Sequence, residues 1–305
     1  MNPIRGIIPP MVTPLLSENK LDESGLEKLI EHLISGGVHG LFILGTTGEA
    51  TSLGYDLRKE FIRKTCALVN KRVPVLAGIT DTCFSGSLEM ALASKQAGAD
   101  ALVISAPYYL PISQDEFTEY LDSLVPHLEL PFLLYNMPGC TKFDMSVDTI
   151  KKARELGATG IKDSSGSITK LYSLIEEFKD TPDFSILSGT ETFIPETLFF
   201  GGHGAVAGGA VLFPRLFSDW YEAALANDLN RVTLLRDVVI QIEKKIYDID
   251  PNASKYVRSI KCALSVMGIC SDYVALPFRK FDESKRRQVE QNLKEIDYYY
   301  KEKMK

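Results

Sequence analysis

One lysine and two kinds of hydroxyl group in this chain have the chemistry needed to act on a carbonyl carbon. Lys162 lies in "TGIKD", Tyr135 ends the apolar run "PFLLY", and Thr46 follows the apolar run "GLFIL". A lysine that is partly removed from water loses some of its preference for the charged form, and its neutral amine can attack a carbonyl. We therefore expect Schiff-base chemistry, with a nearby tyrosine hydroxyl that transfers protons.

The turn that carries Thr46 also contains groups suited to a carboxylate. In "GTTGEATS" the backbone N–H groups and the side-chain oxygens of a threonine–glycine turn suit an anionic substrate group. Taken singly, each residue has an alternative: the threonines can cap the following helix, Tyr135 can belong to the core, and Lys162 can extend its ammonium group into water. We favour an active site because several strand ends deliver groups that one mechanism requires.

Eight short runs rich in valine, isoleucine and leucine predict the elements that position these residues. Each is followed by a turn and then by a segment with helical spacing of apolar residues. The runs lie at 6–12, 40–44, 73–78, 101–105, 131–135, 159–163, 184–189 and 204–208. Strands that are apolar throughout are typical of parallel sheets covered on both faces. We predict an α/β fold, a (β/α)₈ TIM barrel, with an open doubly wound sheet as the competing architecture.

Three helices have recognisable ends. The segment 21–37 ends at a glycine pair, the segment 52–69 begins at Ser52, and "SQDEFTEYLDSLVPHL" has the Ser113–Glu116 spacing of a capping box. Beyond "LFPRLFSDWYEAALAND" the pattern is helical without further strands. We therefore predict a catalytic barrel over residues 1–227 and a C-terminal helical region over 228–305 that packs on the barrel.

Composition narrows the class of protein. The chain has 305 residues and a formal net charge of −6, which gives no electrostatic reason to expect a nucleic-acid partner. Its five cysteines are scattered, without CxxC pairs or metal-ligand spacing. The start "MNPIRGIIPPMVTP" lacks the apolar stretch of a signal peptide, and no run approaches the length of a membrane helix. We expect a soluble, cytoplasmic protein that needs no metal or organic cofactor.

The motifs "GTTGEATSL", "YNMPG" and "GIKDSSG", in this order, resemble the dihydrodipicolinate synthase and N-acetylneuraminate lyase family of pyruvate-dependent class I aldolases. The resemblance runs from residue 4 to about residue 225 and continues more weakly to the end. It implies that Lys162 forms the Schiff base with pyruvate or another 2-oxo acid and that Tyr135 transfers protons. Thr46 would link Tyr135 to Tyr109, which in this family reaches in from a neighbouring subunit. A homotetramer built as a dimer of dimers is also implied.

The same resemblance suggests how the keto acid is held. Thr47 and the turn at Gly48 would bind its carboxylate. Gly189 in "LSGTE" and Val206 in "HGAVAG" stand where the family lines the pyruvate pocket with backbone groups and a small apolar side chain. The second substrate would be an aldehyde.

The residues that select the aldehyde depart from the family's main branches. Synthases carry an arginine two residues after the proline of "YN.P", and this chain has Cys140 there, with Lys142 two positions further on. A thiol cannot replace a bidentate guanidinium. The lyase branch has an acidic pair where Glu191 is followed by Thr192. The "KDS" at the end of the sixth strand resembles aldolases that act on 2-keto-3-deoxy sugar acids or 4-hydroxy-2-oxoglutarate, and this resemblance makes them the favoured substrate class. Cys140 and Glu191 are candidate substrate contacts. Dihydrodipicolinate synthase and N-acetylneuraminate lyase are the alternatives.

Other classes of function have weaker support. The spacing "GGHGAVA" matches a dinucleotide fingerprint, but that fingerprint needs a strand before it and a helix after it, the reverse of the predicted order. A phosphate-binding barrel isomerase and a barrel that binds an oxo acid without turnover stay open. The set of Lys162, Tyr135 and Thr46 favours catalysis, because a simple binding protein does not need all three.

Overall fold

Eight parallel strands form the centre of the protein. The computed structural model describes residues 3–303. The strands are β1 Gly6–Ile7, β2 Leu41–Ile43, β3 Val75–Gly78, β4 Ala101–Ile104, β5 Phe132–Asn136, β6 Ala158–Asp163, β7 Ser185–Ser188 and β8 Gly204–Ala205. From β2 to β8 consecutive strands pair with one another, and β8 pairs with β1.

The sheet closes on itself just beyond β1. The Phe42 N–H donates to the carbonyl of Pro9 at 3.0 Å, and the Met11 N–H donates to the carbonyl of Phe42 at 2.8 Å. These bonds join the first strand region to β2, so the sheet is a closed barrel. The predicted (β/α)₈ fold is confirmed, and the open doubly wound alternative is excluded.

The first strand is much shorter than the predicted segment 6–12. Regular pairing covers Gly6–Ile7, and Pro10 forms an isolated bridge to Phe42. Pro9 and Pro10 have no N–H to donate, so a regular hydrogen-bond ladder cannot continue through them. The last strand is likewise limited to Gly204–Ala205 within the predicted segment 204–208.

A helix follows each strand, so strands and helices alternate around the barrel. The helices are α1 Glu23–Ser35, α2 Tyr55–Val69, α3 Phe84–Ala97, α4 Gln114–Leu124, α5 Val147–Glu155, α6 Ile168–Glu177, α7 Ile194–Phe199 and α8 Pro214–Leu225. The smaller elements are the antiparallel strands Leu15–Ser17 and Lys20–Leu21, the helical turn Pro138–Thr141, and 3₁₀ turns at Ala50–Ser52, Val125–His127, Glu191–Phe193, Gly209–Val211 and Tyr247–Ile249.

The predicted helix ends are partly correct. The Ser113 hydroxyl accepts from the Glu116 N–H, and the Glu116 carboxylate accepts from the Ser113 N–H, so the capping box is present. The prediction that the second helix begins at Ser52 is wrong, because Ser52 belongs to a 3₁₀ turn and the helix begins at Tyr55. Leu53 and Gly54, both in an extended conformation, separate the two.

Three further helices, α9 Leu229–Lys245, α10 Lys255–Val266 and α11 Glu283–Lys303, follow the barrel. Their buried apolar side chains belong to the same cluster as the side chains between the barrel strands and helices. Polar contacts also join the two parts; in one of them the Trp220 indole N–H donates to the carbonyl of Val232 at 3.0 Å. The C-terminal helical appendage is confirmed, and the domain boundary at residue 227 stays a prediction. Within residues 3–303, none of the helices is both long and apolar enough to cross a membrane.

A second, smaller apolar cluster fills the inside of the barrel. It contains Phe42, Leu133, Tyr135, Leu187 and Val206 among its members. Successive side chains of a strand point to opposite sides, so residues next to these in sequence face the surrounding helices. The candidate site is built at the end of this interior cluster, where the strands finish.

Candidate active site

Lys162 lies inside the barrel beside Tyr135. The two residues are paired in register on the adjacent strands β6 and β5. Only 6% of Lys162 is exposed. Its Nζ lies 4.0 Å from the centroid of the Tyr135 ring and 5.1 Å from the centroid of the Phe42 ring. The amine is therefore sheltered from solvent beside two aromatic rings.

The Tyr135 hydroxyl meets the turn that follows β2. It lies 3.3 Å from the Thr46 Oγ1, and either hydroxyl can be the donor. The Tyr135 ring also packs edge-on against Phe42, with ring centroids 6.0 Å apart. The structure thus brings Lys162, Tyr135 and Thr46 together from three strands of the barrel, as the sequence predicts.

The next residue of each strand faces outward and joins the two strands from the other side. The Asn136 amide donates to Asp163 Oδ1 and to Asp144 Oδ1, each at 2.8 Å. The Met145 N–H donates to Asn136 Oδ1 at 3.0 Å, and Lys170 forms an ion pair with Asp144. Burial raises the pKa of Asp144, but the hydrogen bonds from Lys170 and Asn136 outweigh it and the pKa lies below its ordinary value. This network holds the strands that carry Tyr135 and Lys162 in register.

Thr47 and Gly48 lie deeper in the same turn than Thr46. Thr47 is buried, whereas Thr46 is exposed to the cavity. The Gly48 carbonyl accepts from the Thr13 hydroxyl at 2.7 Å. A Cβ on Gly48 would lie 3.1 Å from the Leu44 nitrogen and from the Met11 oxygen, so the tight packing there favours glycine. The turn is thus held against the segment after β1.

A cavity of about 380 Å³ opens above Tyr135. Its polar lining consists mostly of hydroxyl-bearing side chains, from Thr46, Thr51, Ser52, Thr80, Ser105, Tyr108, Tyr135, Thr141 and Ser254. Glu49 and Cys140 also line it, together with apolar side chains that include Phe42, Met137, Val257 and Phe278. The last two come from the C-terminal region, which therefore supplies one wall of the cavity. Across residues 3–303, no three histidine, cysteine, aspartate or glutamate side chains are grouped so as to hold a metal ion.

Gly189 and Val206 lie at the ends of the two strands that follow β6. Val206 is buried in the interior cluster with Tyr135, and its N–H donates to the Ser188 carbonyl at 2.8 Å. The Gly189 N–H donates to the Asp163 carbonyl at 2.7 Å. A Cβ on Gly189 would lie 1.8 Å from the Ser164 Oγ and 3.0 Å from the Asp163 carbonyl oxygen, so any side chain there would require Ser164 to move.

The residues predicted to contact the aldehyde lie in different surroundings. Cys140 is exposed and lines the cavity. The Lys142 Nζ donates to the Gly139 carbonyl at 3.0 Å and is not among the groups that line the cavity. Lys142 therefore does not take the place of the missing guanidinium.

Glu191 is buried behind the cavity and does not line it. Its Oε2 accepts from the Gly209 N–H at 2.7 Å, and the Tyr247 hydroxyl lies 3.5 Å from the same oxygen. Burial raises the pKa of Glu191 to about 7, although the hydrogen bonds from Gly209 and Tyr247 oppose the rise. The structure therefore does not bring Glu191 to the other predicted site residues.

Tyr109 points away from the cavity of its own chain. It is 92% exposed and has a positive φ of 84°. The neighbouring Tyr108 lines the cavity instead, and burial raises the pKa of its hydroxyl.

The sequence as a whole matches one known family over almost its full length. The model of the dihydrodipicolinate synthetase family matches residues 3–296. The chain belongs to this family. It is accordingly a lyase of the aldolase kind, and the resemblance drawn from the three motifs is confirmed.

Relatives within the dihydrodipicolinate synthetase family carry different names. The solved structure of a dihydrodipicolinate synthase from Bacteroides thetaiotaomicron is 46% identical, with a TM-score of 0.94 over 97% of this chain and 100% of that one. The 4-hydroxy-tetrahydrodipicolinate synthase of Methanoculleus marisnigri is 33% identical over 93% of this chain and 96% of its own length. YagE of Escherichia coli, named as a candidate 2-dehydro-3-deoxy-D-gluconate aldolase, is 32% identical over 95% of this chain and 96% of its own length. YagE has been solved in complex with pyruvate, with a TM-score of 0.90.

Sequence reasoning missed several residues that support this site. Asn136 and Asp163 directly follow Tyr135 and Lys162, so the pairs "YN" and "KD" were a visible signal. Phe42 lies in a predicted strand, and nothing in the sequence indicates that its ring faces Lys162. The cavity wall from the C-terminal region was also missed, because periodicity does not show how an appended helix packs.

Proposed function

We propose that this protein forms a Schiff base between Lys162 and pyruvate or a related 2-oxo acid and makes or breaks the adjacent carbon–carbon bond. The observation that carries the proposal is the distance of 4.0 Å between the Lys162 Nζ and the Tyr135 ring, inside the barrel. An amine sheltered in this way can serve as a nucleophile, and a phenol beside it can carry protons.

The reaction is written here in the cleavage direction. The neutral Lys162 Nζ adds to C2 of the 2-oxo acid, and the resulting carbinolamine loses water to give a protonated imine. The hydroxyl on C4 then loses its proton, C4 becomes an aldehyde, and the electrons of the C3–C4 bond move to the imine and leave an enamine. Protonation of the enamine at C3 and hydrolysis release pyruvate and free Lys162. Condensation follows the same steps in reverse.

Tyr135 is the proton carrier in this proposal, and Thr46 orients it. The contact of 3.3 Å between their hydroxyls supports this assignment. Thr47 and the turn at Gly48 bind the carboxylate of the keto acid. Gly189 and Val206 complete the pocket near Lys162, since Val206 belongs to the same interior cluster as Tyr135.

We propose a neutral hydroxyaldehyde, such as glyceraldehyde, as the second substrate, and hence a 2-keto-3-deoxy sugar acid as the molecule cleaved. The hydroxyl-rich lining of the cavity supports this choice, because hydroxyl groups exchange hydrogen bonds with a polyhydroxylated chain. Cys140 stands where a synthase has arginine, and Lys142 is bound to a backbone carbonyl. An aldehyde with a second carboxylate, such as glyoxylate or aspartate semialdehyde, would meet a thiol there instead of a cation.

Condensation of pyruvate with aspartate semialdehyde is the second candidate. The Bacteroides thetaiotaomicron structure, at 46% identity, is named a dihydrodipicolinate synthase, which favours this reaction. A panel of pyruvate with glyceraldehyde, glyoxylate, N-acetylmannosamine or aspartate semialdehyde separates the branches by their kcat/KM values. We expect glyceraldehyde to give the highest value. A clear preference for aspartate semialdehyde would contradict the proposed substrate class and leave the imine mechanism in place.

Borohydride reduction in the presence of pyruvate tests the imine mechanism itself. We expect mass spectrometry to find the reduced pyruvate adduct on Lys162. The matched control is Lys162→Arg, which keeps the positive charge but cannot form an imine under these conditions. Absence of the adduct from the unmodified protein, or an adduct that survives in Lys162→Arg, would favour a barrel that binds oxo acids without turnover.

We also propose that the protein acts as a homotetramer in the cytoplasm. The nearly complete exposure of Tyr109 supports assembly, because the proposed link from Thr46 to Tyr109 needs that side chain to come from another subunit. Sedimentation velocity of the unmodified chain and of Tyr109→Ala tests the assembly, and a monomer at working concentration would contradict it.

A further inference from the structure

A second lysine is fully buried and faces the turn that carries Thr46. Lys261, on α10 in the C-terminal region, is 0% exposed. Its Nζ forms an ion pair with Glu49 Oε2 and donates to the Tyr273 carbonyl at 2.8 Å. The other oxygen of Glu49 accepts from the Ala275 N–H at 2.8 Å. The carboxylate of Glu49 is thus bound on both sides by the C-terminal region.

Net stability is a poor explanation for this ion pair. Burial raises the pKa of Glu49 and lowers the pKa of Lys261, although each partner opposes the change in the other. Buried ion pairs often contribute no more stability than apolar residues of the same volume, since desolvation opposes their attraction. What such a pair does provide is a fixed direction and distance between two segments.

Glu49 also holds an unusual position in the turn. Its φ of 55° lies in the left-handed region, which is costly for a residue with a Cβ. Its N–H donates to the Thr46 carbonyl at 3.1 Å, and the Ala50 N–H donates to the Gly45 carbonyl at 3.4 Å. Without the contacts of its carboxylate with Lys261 and the Ala275 N–H, the backbone at Glu49 could relax. Relaxation there would move Thr46, because the two residues share this turn.

The segment that receives Glu49 is itself anchored to the barrel. The Ser271 N–H donates to Asp22 Oδ2 at 2.9 Å. The Tyr273 hydroxyl and the Leu276 N–H donate to Glu18 Oε2 at 3.1 and 3.2 Å. The segment 271–276, which binds Glu49, is therefore itself fixed to the barrel, as is needed if it is to hold Glu49 in one position.

We propose that Glu49 and Lys261 are positioning residues that hold the turn so that the Thr46 hydroxyl stays in contact with Tyr135. The C-terminal region then acts in catalysis by setting the geometry of proton transfer. This inference rests on the proposed function, in which Tyr135 carries the proton that leaves or joins C3 of the pyruvate imine.

Exchange of the pyruvate methyl protons for deuterium in D₂O measures that proton transfer without an aldehyde. The imine loses a C3 proton to give the enamine, the enamine takes up a deuteron, and hydrolysis returns deuterated pyruvate. The key variant is Glu49→Gln/Lys261→Met, which removes both charges and leaves no uncompensated ion in the interior. Circular dichroism and fluorescence of the single tryptophan, Trp220, monitor the fold.

We expect the double variant to fold and to exchange the pyruvate methyl protons roughly 100-fold more slowly than the unmodified chain. A loss of this size is typical when a catalytic group is displaced by about 1 Å. Thr46→Val should slow exchange in the unmodified chain, but by no more than about twofold in the double variant, because coupled sites are not additive. Arg286→Met is the matched control. Arg286 contacts Ser265 and Asp272 at 3.1 and 3.3 Å in the same region without reaching the turn, so exchange should be unchanged.

Two results would overturn the inference: exchange by the double variant at the unmodified rate, or an equal effect of Thr46→Val in both backgrounds. If the double variant does not fold, the effect of Thr46→Val is compared between the unmodified chain and Glu49→Gln alone. Glu49→Gln keeps the side-chain length and an oxygen that can accept from the Ala275 N–H. If the unmodified protein neither exchanges the methyl protons nor gives a borohydride adduct, the proposed function fails and this inference fails with it.

Discussion

Replacing Glu191 with glutamine should change how stability depends on pH. The carboxyl group is buried, accepts from the Gly209 N–H and has an oxygen, Oε1, without a partner among the described residues. Burial raises its pKa to about 7, compared with an ordinary value of 4.5. Glutamine has nearly the same shape as the protonated acid, and it cannot ionise.

The sign follows from proton linkage. The folded protein holds the Glu191 proton more tightly than the unfolded chain, so its contribution to stability is fully present below pH 4.5 and is lost as the pH rises through about 7. One unit of pKa difference between the folded and unfolded chains corresponds to about 1.4 kcal/mol, so Glu191 can contribute at most about 3 kcal/mol to the free energy of unfolding. Between pH 5 and pH 8 the free energy of unfolding of the unmodified protein should therefore fall by about 2 to 3 kcal/mol more than that of the Glu191→Gln variant.

Urea unfolding at pH 5, 6, 7 and 8 measures the difference. The single tryptophan, Trp220, is fully buried beside α9 and reports loss of the core by fluorescence. Equal slopes of free energy against urea concentration in the two proteins would show that the same surface is exposed on unfolding. We expect Glu191→Gln to gain stability relative to the unmodified chain as the pH rises.

A second variant tests the cause. The hydrogen bond from Tyr247 lowers the pKa of Glu191, so Tyr247→Phe should raise that pKa further and move the loss of stability to higher pH. A free-energy difference between Glu191→Gln and the unmodified protein that stays constant from pH 5 to pH 8 would refute the reasoning. It would mean that the carboxyl group titrates alike in the folded and unfolded chains.

Three further predictions concern the reaction. Lys162→Ala should lower turnover by more than about 10³-fold while the circular dichroism spectrum is unchanged, and full activity in a kinetic assay would rule out imine catalysis. Tyr135→Phe should slow the exchange of pyruvate methyl protons by about 10² to 10⁴-fold, the usual contribution of a general acid–base, and an unchanged NMR exchange rate would assign the proton to another group. Cys140→Arg should raise kcat/KM for aspartate semialdehyde at least about tenfold relative to glyceraldehyde, since it restores a bidentate partner for a carboxylate. An unchanged ratio would show that residue 140 does not contact the second substrate.

The barrel was predictable because its determinants are local. Each strand is a short apolar run and each helix has its own periodicity and ends, so alternation alone gives the architecture. The errors are also local: Pro9 and Pro10 end the ladder of β1, and a 3₁₀ turn delays α2 from Ser52 to Tyr55. The meeting of Lys162, Tyr135 and Thr46 followed from the fold, because strand ends of a barrel share one face.

Contacts between parts that are distant in sequence could not be predicted in this way. The pairing of Glu49 with Lys261 depends on how α10 packs, and a buried lysine has no periodic signature that separates it from a solvated one. The same limit explains Glu191, which the motif comparison suggested as a substrate contact but which the fold turns toward Gly209 and Tyr247.

The arrangement separates the proposed chemistry from the choice of substrate. Lys162 and Tyr135 lie on adjacent strands that are joined on their outer side by the Asn136–Asp163 hydrogen bond, so their relative position is fixed by the barrel itself. Cys140 lies on a separate helical turn after β5, outside that hydrogen-bonded pair. A substitution on this turn can therefore alter the wall of the cavity without moving the amine or the phenol. Such a separation is consistent with one family fold whose members carry the names of different enzymes.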